Sequence, residues 1–152
     1  MSIKILVTDP LSDKGLDSLK GSGFEVLYKP KISSDEMQLY IGDIDGWIIR
    51  SGTTISKENI ADAKKLQIIG RAGVGTDNID IDKATSHGII VMNVPDGNTI
   101  SAAEHTLAMM LSLSRNIQLG HMGLMEGKWD RHKLVGNELS GKVLGVVGLG
   151  KI

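Results

Sequence analysis

Two short stretches place an arginine beside glycines: RSG at residues 50–52 and RAGVG at residues 71–75. Each directly follows an apolar run that predicts a buried β-strand. Ligands of open parallel sheets bind beyond the carboxyl ends of the strands, so we expect Arg50 and Arg71 at the same edge. Two guanidinium groups beside accessible backbone amides suit a carboxylate or a phosphate. The stretches therefore predict an anion site. The alternative is that each arginine only extends from a strand end into solvent.

A second glycine pattern lies in the segment GVVGLGKI, where Gly148 and Gly150 follow the apolar run Val143–Val147. Such a strand followed by Gly-x-Gly is typical of the turn that binds a dinucleotide pyrophosphate. The third glycine, the following helix and the acidic residue for the ribose are not in this sequence. We therefore expect the chain to be part of a longer two-domain enzyme.

The remaining polar candidates have local explanations. Asn98 either contacts a ligand or caps a helix that starts near Thr99. The polar residues at 77–80 are expected to shape a turn and cap a short helix. The basic cluster at 128–133 is a solvated face or, alternatively, supplies charge to a phosphorylated substrate across a subunit interface. No histidine pair has metal-ligand spacing and the carboxylates do not alternate as in a calcium loop, so no metal site is predicted.

Composition excludes several other classes of function. The 152 residues contain 17 basic and 18 acidic side chains and have a net charge of −1, which gives no long-range attraction to nucleic acid or acidic membranes. Aromatic residues make up only 3%, too few for base stacking. Cysteine is absent, which excludes disulfides and thiol catalysis. We expect a cytoplasmic protein with neither a nucleic-acid nor a membrane partner.

Apolar runs alternate with helix-like segments through the first 94 residues. This alternation predicts an α/β fold with a parallel sheet of five strands, as in flavodoxin-like domains. The predicted strands are Ile3–Val7, Phe24–Leu27, Trp47–Ile49, Gln67–Gly70 and Ile89–Met92. The predicted helices follow Ser12, Ser33–Ser34 and Ser56, and a short one covers Ile81–Ser86.

The pattern changes after residue 97, which predicts a second domain over residues 98–152. Ser101 and Glu104 have the spacing of a capping box, and an apolar helix is expected to run to about Asn116. A helix without a polar face is normally buried, so its partner should be a second domain or another subunit. The run Val143–Val147 is predicted to be a central strand.

Four linked motifs give the sequence a family resemblance: RAGVGTDNID, NVPDGNTISAAEHT, GKW and ELSGKVLGVVGLGKI. In this order and spacing they resemble the amino-terminal half of the D-isomer-specific 2-hydroxyacid dehydrogenases. The resemblance implies a flavodoxin-like substrate domain at 1–97 and the beginning of a Rossmann NAD-binding domain at 98–152. It also implies a long interface helix at about 99–116 and a homodimer or higher homo-oligomer.

The resemblance also assigns site residues. Those expected to contact a small anionic 2-hydroxy or 2-oxo acid are Arg50, Ser51, Arg71, Gly73, Val74 and Asn98. Those expected to contact NAD are Val74, Gly148, Gly150, Lys151 and Ile152. The family's catalytic arginine, glutamate and histidine are expected beyond residue 152, so none of the four histidines here is assigned to catalysis.

The implied activity is NAD-dependent hydride transfer at the 2-hydroxyl of 3-phosphoglycerate, the first step of serine biosynthesis. The two arginines favour this phosphorylated substrate. One alternative is a reductase for glyoxylate, hydroxypyruvate or another D-2-hydroxy acid. Another is a binding protein that senses NAD without turnover. The isolated chain is expected to be inactive.

Overall fold

The computed structural model describes residues 2–152, which divide into two compact units with the boundary between Gly97 and Asn98. The first unit alternates strands and helices. Its strands are β1 (Lys4–Val7), β2 (Glu25–Tyr28), β3 (Gly46–Ile49), β4 (Ile68–Arg71) and β5 (Ile90–Met92). Its helices are α1 (Asp13–Gly21), α2 (Ser34–Ile41), α3 (Lys57–Asp62) and α4 (Ile81–Ser86).

The five strands form one parallel sheet in the order β2-β1-β3-β4-β5. This is the order of flavodoxin-like sheets, so the predicted fold class is confirmed. None of the five strands begins or ends more than one residue from its predicted bound. The third helix, predicted to follow Ser56, covers Lys57–Asp62.

Side-chain caps explain where the four helices begin. Ser12, Ser33 and Ser56 accept a hydrogen bond from a backbone N–H in the first turn of α1, α2 and α3. Asp80 does the same for α4 by accepting from the backbone N–H of Lys83. Each cap satisfies a donor that the helix itself leaves unpaired.

The core of the first unit lies against the central strands. Leu6 on β1, Trp47 and Ile49 on β3, and Ile69 on β4 have no exposed surface. Trp47 is large and polar at one end, and its Nε1 donates to Thr8 Oγ1 at 3.0 Å. The packed strands therefore give the loops at their carboxyl ends a rigid base.

The second unit contains α5 (Thr99–Ser114), α6 (Ile117–Met125) and a 3₁₀ turn at Arg131–Lys133. The predicted capping box of Ser101 and Glu104 is wrong, because α5 starts at Thr99 and both residues lie inside it. The sequence reasoning also missed α6. No described residue of this unit is buried, and no described helix of the chain is long and apolar enough to cross a membrane.

The predicted strand at Val143–Val147 does not form. These residues are exposed and have neither helical nor strand structure. A strand is stabilised by hydrogen bonds to a neighbouring strand, and the described part of the second unit contains none. Apolar character alone was therefore an insufficient signal for this element.

Candidate functional site

The two arginine loops begin at one edge of the sheet. In the β3–β4 ladder Ile49 pairs with Arg71, so Arg50 follows one residue beyond this pair. Arg50 is exposed, and its Nη1 lies 3.5 Å from the carbonyl oxygen of Pro10. The shared edge expected from the sequence is thus set by the strand register.

Arg71 lies across its own loop. A side-chain Cβ added at Gly73 would lie only 1.6 Å from Arg71 Nη1, so the guanidinium occupies the space that glycine leaves open. Arg71 Nε is buried and has no hydrogen-bond partner among residues 2–152. Because buried polar atoms are normally paired, this donor is available for an acceptor supplied by a ligand.

The loop after β3 is held by a residue that the sequence reasoning missed. Asp9 is only 6% exposed, and its Oδ2 accepts hydrogen bonds from the backbone N–H groups of Arg50 at 2.7 Å and Thr53 at 3.0 Å. Within the described chain, the amides of Ser51 and Gly52 between them have no partner. Both residues are exposed, so their N–H groups are free to bind an anion.

The loop after β4 is held from the segment that follows β5. Val94 donates its backbone N–H to the carbonyl oxygen of Gly73 at 2.9 Å, and Asn93 Nδ2 donates to that of Val74 at 2.7 Å. The amides of Val74 and Gly75 have no partner in the part of the chain that is described. Each loop thus offers one arginine and two adjacent free amides.

The other predicted site residues belong to the second unit. Asn98 stands at the N-cap position of α5 but makes no side-chain capping bond, so the capping interpretation is not supported by a contact. Gly148 has φ +105°, a conformation that side-chain-bearing residues rarely adopt. Gly148, Gly150 and Ile152 line a groove of about 530 Å³ that α5 borders with Ala103, Thr106, Leu107 and Met110. Lys151 is exposed beside them.

In the first unit, the side chain with the most strongly shifted pKa is Asp43, which is not one of the predicted site residues. Hydrogen bonds from Lys4 and Lys65 lower the pKa of Asp43 from 3.8 to about 2. The contact with Asp43 in turn raises the pKa of Lys4. Asp43 precedes β3, whereas the arginine loops follow strands, so this cluster is separate from the candidate site. Among the described residues, no group of three or more His, Asp or Glu side chains is placed to hold a metal ion.

Comparison with known proteins decides the family. The profile described as "D-isomer specific 2-hydroxyacid dehydrogenase, catalytic domain" matches residues 5–142. The chain belongs to the D-isomer specific 2-hydroxyacid dehydrogenase family. The match includes both arginine loops and α5, and it confirms the resemblance that the four motifs indicated.

Curated relatives of the chain include two archaeal D-3-phosphoglycerate dehydrogenases. That of Archaeoglobus fulgidus is 46% identical over 150 residues, which are 99% of this chain and 28% of the relative. That of Methanocaldococcus jannaschii is 47% identical over 150 residues, again 99% of this chain and 28% of the relative. The chain thus spans just over a quarter of the length of these enzymes.

Solved structures of similar proteins share the fold. A protein of Thermus thermophilus superposes with a TM-score of 0.90 at 31% identity, over 98% of this chain and 50% of that one. The 3-phosphoglycerate dehydrogenase of Entamoeba histolytica, solved with bound NAD⁺, gives a TM-score of 0.68 at 37% identity. That alignment covers 76% of this chain and 40% of the Entamoeba chain.

Proposed function

We propose that these residues are the amino-terminal part of an NAD-dependent D-3-phosphoglycerate dehydrogenase, the enzyme of the first step of serine biosynthesis. The observation that carries the proposal is the pair of loops in which Arg50 and Arg71 each accompany two free backbone amides. A substrate with a carboxylate and a phosphate has two anionic groups. The two loops at one edge of the sheet could therefore bind one anionic group each.

In the proposed reaction the substrate loses a hydride from C2 and a proton from its 2-hydroxyl, which leaves a 2-oxo acid. Arg50 and Arg71 hold the anionic groups of the acid by charge-assisted hydrogen bonds. The backbone amides of Ser51 and Val74 are further donors to the acid. Gly73 leaves room for the Arg71 guanidinium. Asn98 is assigned to the substrate site on the family resemblance. This set of residues orients the substrate but contains no group that removes the proton.

The residues at the end of the chain fit the beginning of a dinucleotide site. Gly148 has the positive φ of a tight turn, and Gly150 carries no side chain to block the approach of a pyrophosphate. We assign Gly148, Gly150, Lys151 and Ile152 to this turn and Val74 to the nicotinamide end. When bound, NAD supplies the hydride acceptor.

The proposal assigns the catalytic arginine, glutamate and histidine to the part of the enzyme that these 152 residues do not include. The relatives support this assignment, because the chain aligns with only 28% of their length. We expect the isolated chain to show no turnover and to bind NAD weakly. We further propose a cytoplasmic homodimer or higher homo-oligomer, which cell fractionation and sedimentation of the full-length enzyme would test.

The decisive experiment measures the full-length enzyme with NAD and each of several acids. We expect a preference for 3-phosphoglycerate over glycolate, glycerate and D-lactate in kcat/KM. Equal or better use of an acid without phosphate would favour the alternative reductase. Binding of NAD without turnover of any acid would favour an NAD-sensing protein.

Arg71→Ala in the same enzyme tests the anion site. Loss of one charged hydrogen-bonding partner should cost about 1.5–3 kcal/mol, which corresponds to a rise in substrate KM of roughly 10- to 150-fold. The KM for NAD should change little. Lys57→Ala is the matched control, because it removes an exposed positive charge from the start of α3. An unchanged substrate KM would remove Arg71 from the site.

A further inference from the structure

The backbone of the loop after β3 is fixed by two side chains that come from other loops. Asp9, just after β1, receives the N–H groups of Arg50 and Thr53. Asn78, in the loop between β4 and α4, donates to the carbonyl oxygens of the same two residues. We propose that Asp9 and Asn78 are positioning residues that aim the free amides of Ser51 and Gly52 at the substrate anion.

The Asp9 contacts bridge the ends of a short segment. One carboxylate oxygen accepts both N–H groups, which lie three residues apart in the chain. The other oxygen fills the space at Gly52, where an added Cβ would lie 2.3 Å from Asp9 Oδ1. The carboxylate thus occupies the inside of the loop, and Gly52 is required there to make room for it.

The Asn78 contacts close the loop from its carbonyl side. Asn78 Nδ2 lies 2.7 Å from the carbonyl oxygen of Arg50 and 2.6 Å from that of Thr53. Both neighbours are acceptors, so the amide nitrogen and not the amide oxygen must face them. The backbone carbonyl of Asn78 also accepts from the N–H of Ile55, which joins the two loops a second time.

The negative charge of Asp9 allows a positioning role to be distinguished from a direct electrostatic effect on the substrate. Asp9 carries a negative charge close to a loop that is proposed to bind an anion, so simple Coulomb repulsion would weaken substrate binding. Removing that charge should tighten binding if electrostatics dominates. It should weaken binding if the hydrogen bonds that hold Arg50 and Thr53 dominate.

The test uses three variants of the full-length enzyme, and it rests on the proposed function for the choice of substrate. Asp9→Ala and Asn78→Ala should each raise the KM for 3-phosphoglycerate about tenfold or more, with a smaller change in kcat, because each removes two hydrogen bonds to the loop. Asp9→Asn also loses the charge but keeps an acceptor oxygen. It should therefore restore the substrate KM to within about threefold of the wild type. The KM for NAD should stay within about twofold in all three.

Asp80→Ala is the matched control. It removes the cap of α4, two residues beyond Asn78, without touching the Arg50–Thr53 loop. It should lower the melting temperature and leave the substrate KM unchanged. An equal rise in substrate KM for Asp80→Ala and Asp9→Ala would overturn the proposal. Tighter substrate binding by Asp9→Ala would overturn it as well.

A binding experiment on the 152-residue chain separates this inference from the proposed function. Inorganic phosphate is titrated while the ¹H–¹⁵N signals of Ser51 and Gly52 are followed by NMR. Both signals should shift in the wild type and in Asp9→Asn, and should lose that response in Asp9→Ala. If the enzyme does not oxidise 3-phosphoglycerate but this pattern holds, only the proposed function fails. Wild-type signals that ignore phosphate would overturn the positioning role.

Discussion

The two units of the chain differ in how their elements are stabilised. In the first unit every strand is paired, and the central strands bury large side chains completely. In the second unit α5 and α6 form although none of the described residues is buried, while the apolar run at 143–147 forms no strand. A helix makes its hydrogen bonds within itself, whereas a strand needs a partner from elsewhere in the chain. The difference shows which predicted elements depend on distant residues.

The two tryptophans provide the largest test of this difference. Trp47 has no exposed surface and donates to Thr8, whereas Trp129 in the second unit is 73% exposed. Trp47→Ala should lower the free energy of unfolding by about 3–5 kcal/mol, because it leaves a cavity and removes one of the two hydrogen bonds that the buried Thr8 hydroxyl accepts. Trp129→Ala should change it by less than about 0.5 kcal/mol.

Urea unfolding followed by circular dichroism measures both changes in the 152-residue chain. Trp47→Phe serves as a further variant, since it keeps a buried aromatic ring but removes the indole N–H that donates to Thr8. If Trp47→Ala and Trp129→Ala lower the free energy of unfolding by similar amounts, Trp129 must be packed in a core of the second unit.

Helix caps give the next smaller effect. Ser33 accepts from the backbone N–H of Glu36 at 3.2 Å and caps α2, whereas Asn98 makes no capping bond to α5. Ser33→Ala should therefore destabilise the first unit by about 1 kcal/mol. Asn98→Ala should leave the stability of α5 nearly unchanged. Loss of amide protection in α5 on replacing Asn98, measured by hydrogen exchange, would contradict the absence of a cap.

The acid sensitivity of Asp43 is the smallest expected effect, because its ion pairs are exposed. Asp43 contacts Lys4, 39 residues away, and Lys65, 22 residues away, so unfolding separates all three. Its pKa is lowered to about 2 in the folded chain. The stabilisation is therefore present above the unfolded pKa of about 3.8 and is lost as the pH falls towards 2.

Asp43→Asn should accordingly lower the stability slightly above about pH 4, where the carboxylate is charged, and reduce the slope of stability against pH between about 4 and 2. NMR titration of the Asp43 carboxyl carbon checks the pKa directly. Asp35→Asn, at the start of α2, is the control for adding an amide at an exposed acidic position. A titration midpoint near 3.8 for Asp43 would show that its ion pairs with Lys4 and Lys65 do not form in solution.

Local signals in the sequence were sufficient for most of the first unit. Ser12, Ser33 and Ser56 lie directly before apolar periodic segments, and each caps a helix. The box of Ser101 and Glu104 failed although its spacing was correct, because the helix had already begun at Thr99. A spacing rule identifies a possible cap but not the residue at which the backbone first turns helical.

Only some residues of the candidate site could be predicted from the sequence, because others contact the site from distant parts of the chain. Arg50 and Arg71 stand out because each lies at the carboxyl end of a strand and two residues before a glycine. Asp9 and Asn78 contact the same loop from 41 and 28 residues away, and such pairings become visible only when the sheet brings the loops together. The one available signal was the polar Thr8-Asp9-Pro10 sequence at the end of β1, which by itself also fits an ordinary turn.

The overlap between Asp9 and the space at Gly52 constrains how this family can diverge. Position 52 cannot gain a side chain while Asp9 is kept, since any side chain there would meet the carboxylate. A homologue with alanine at 52 should therefore carry a smaller residue at 9 and hold its loop by another contact. The two positions should covary across an alignment although they lie far apart in the chain.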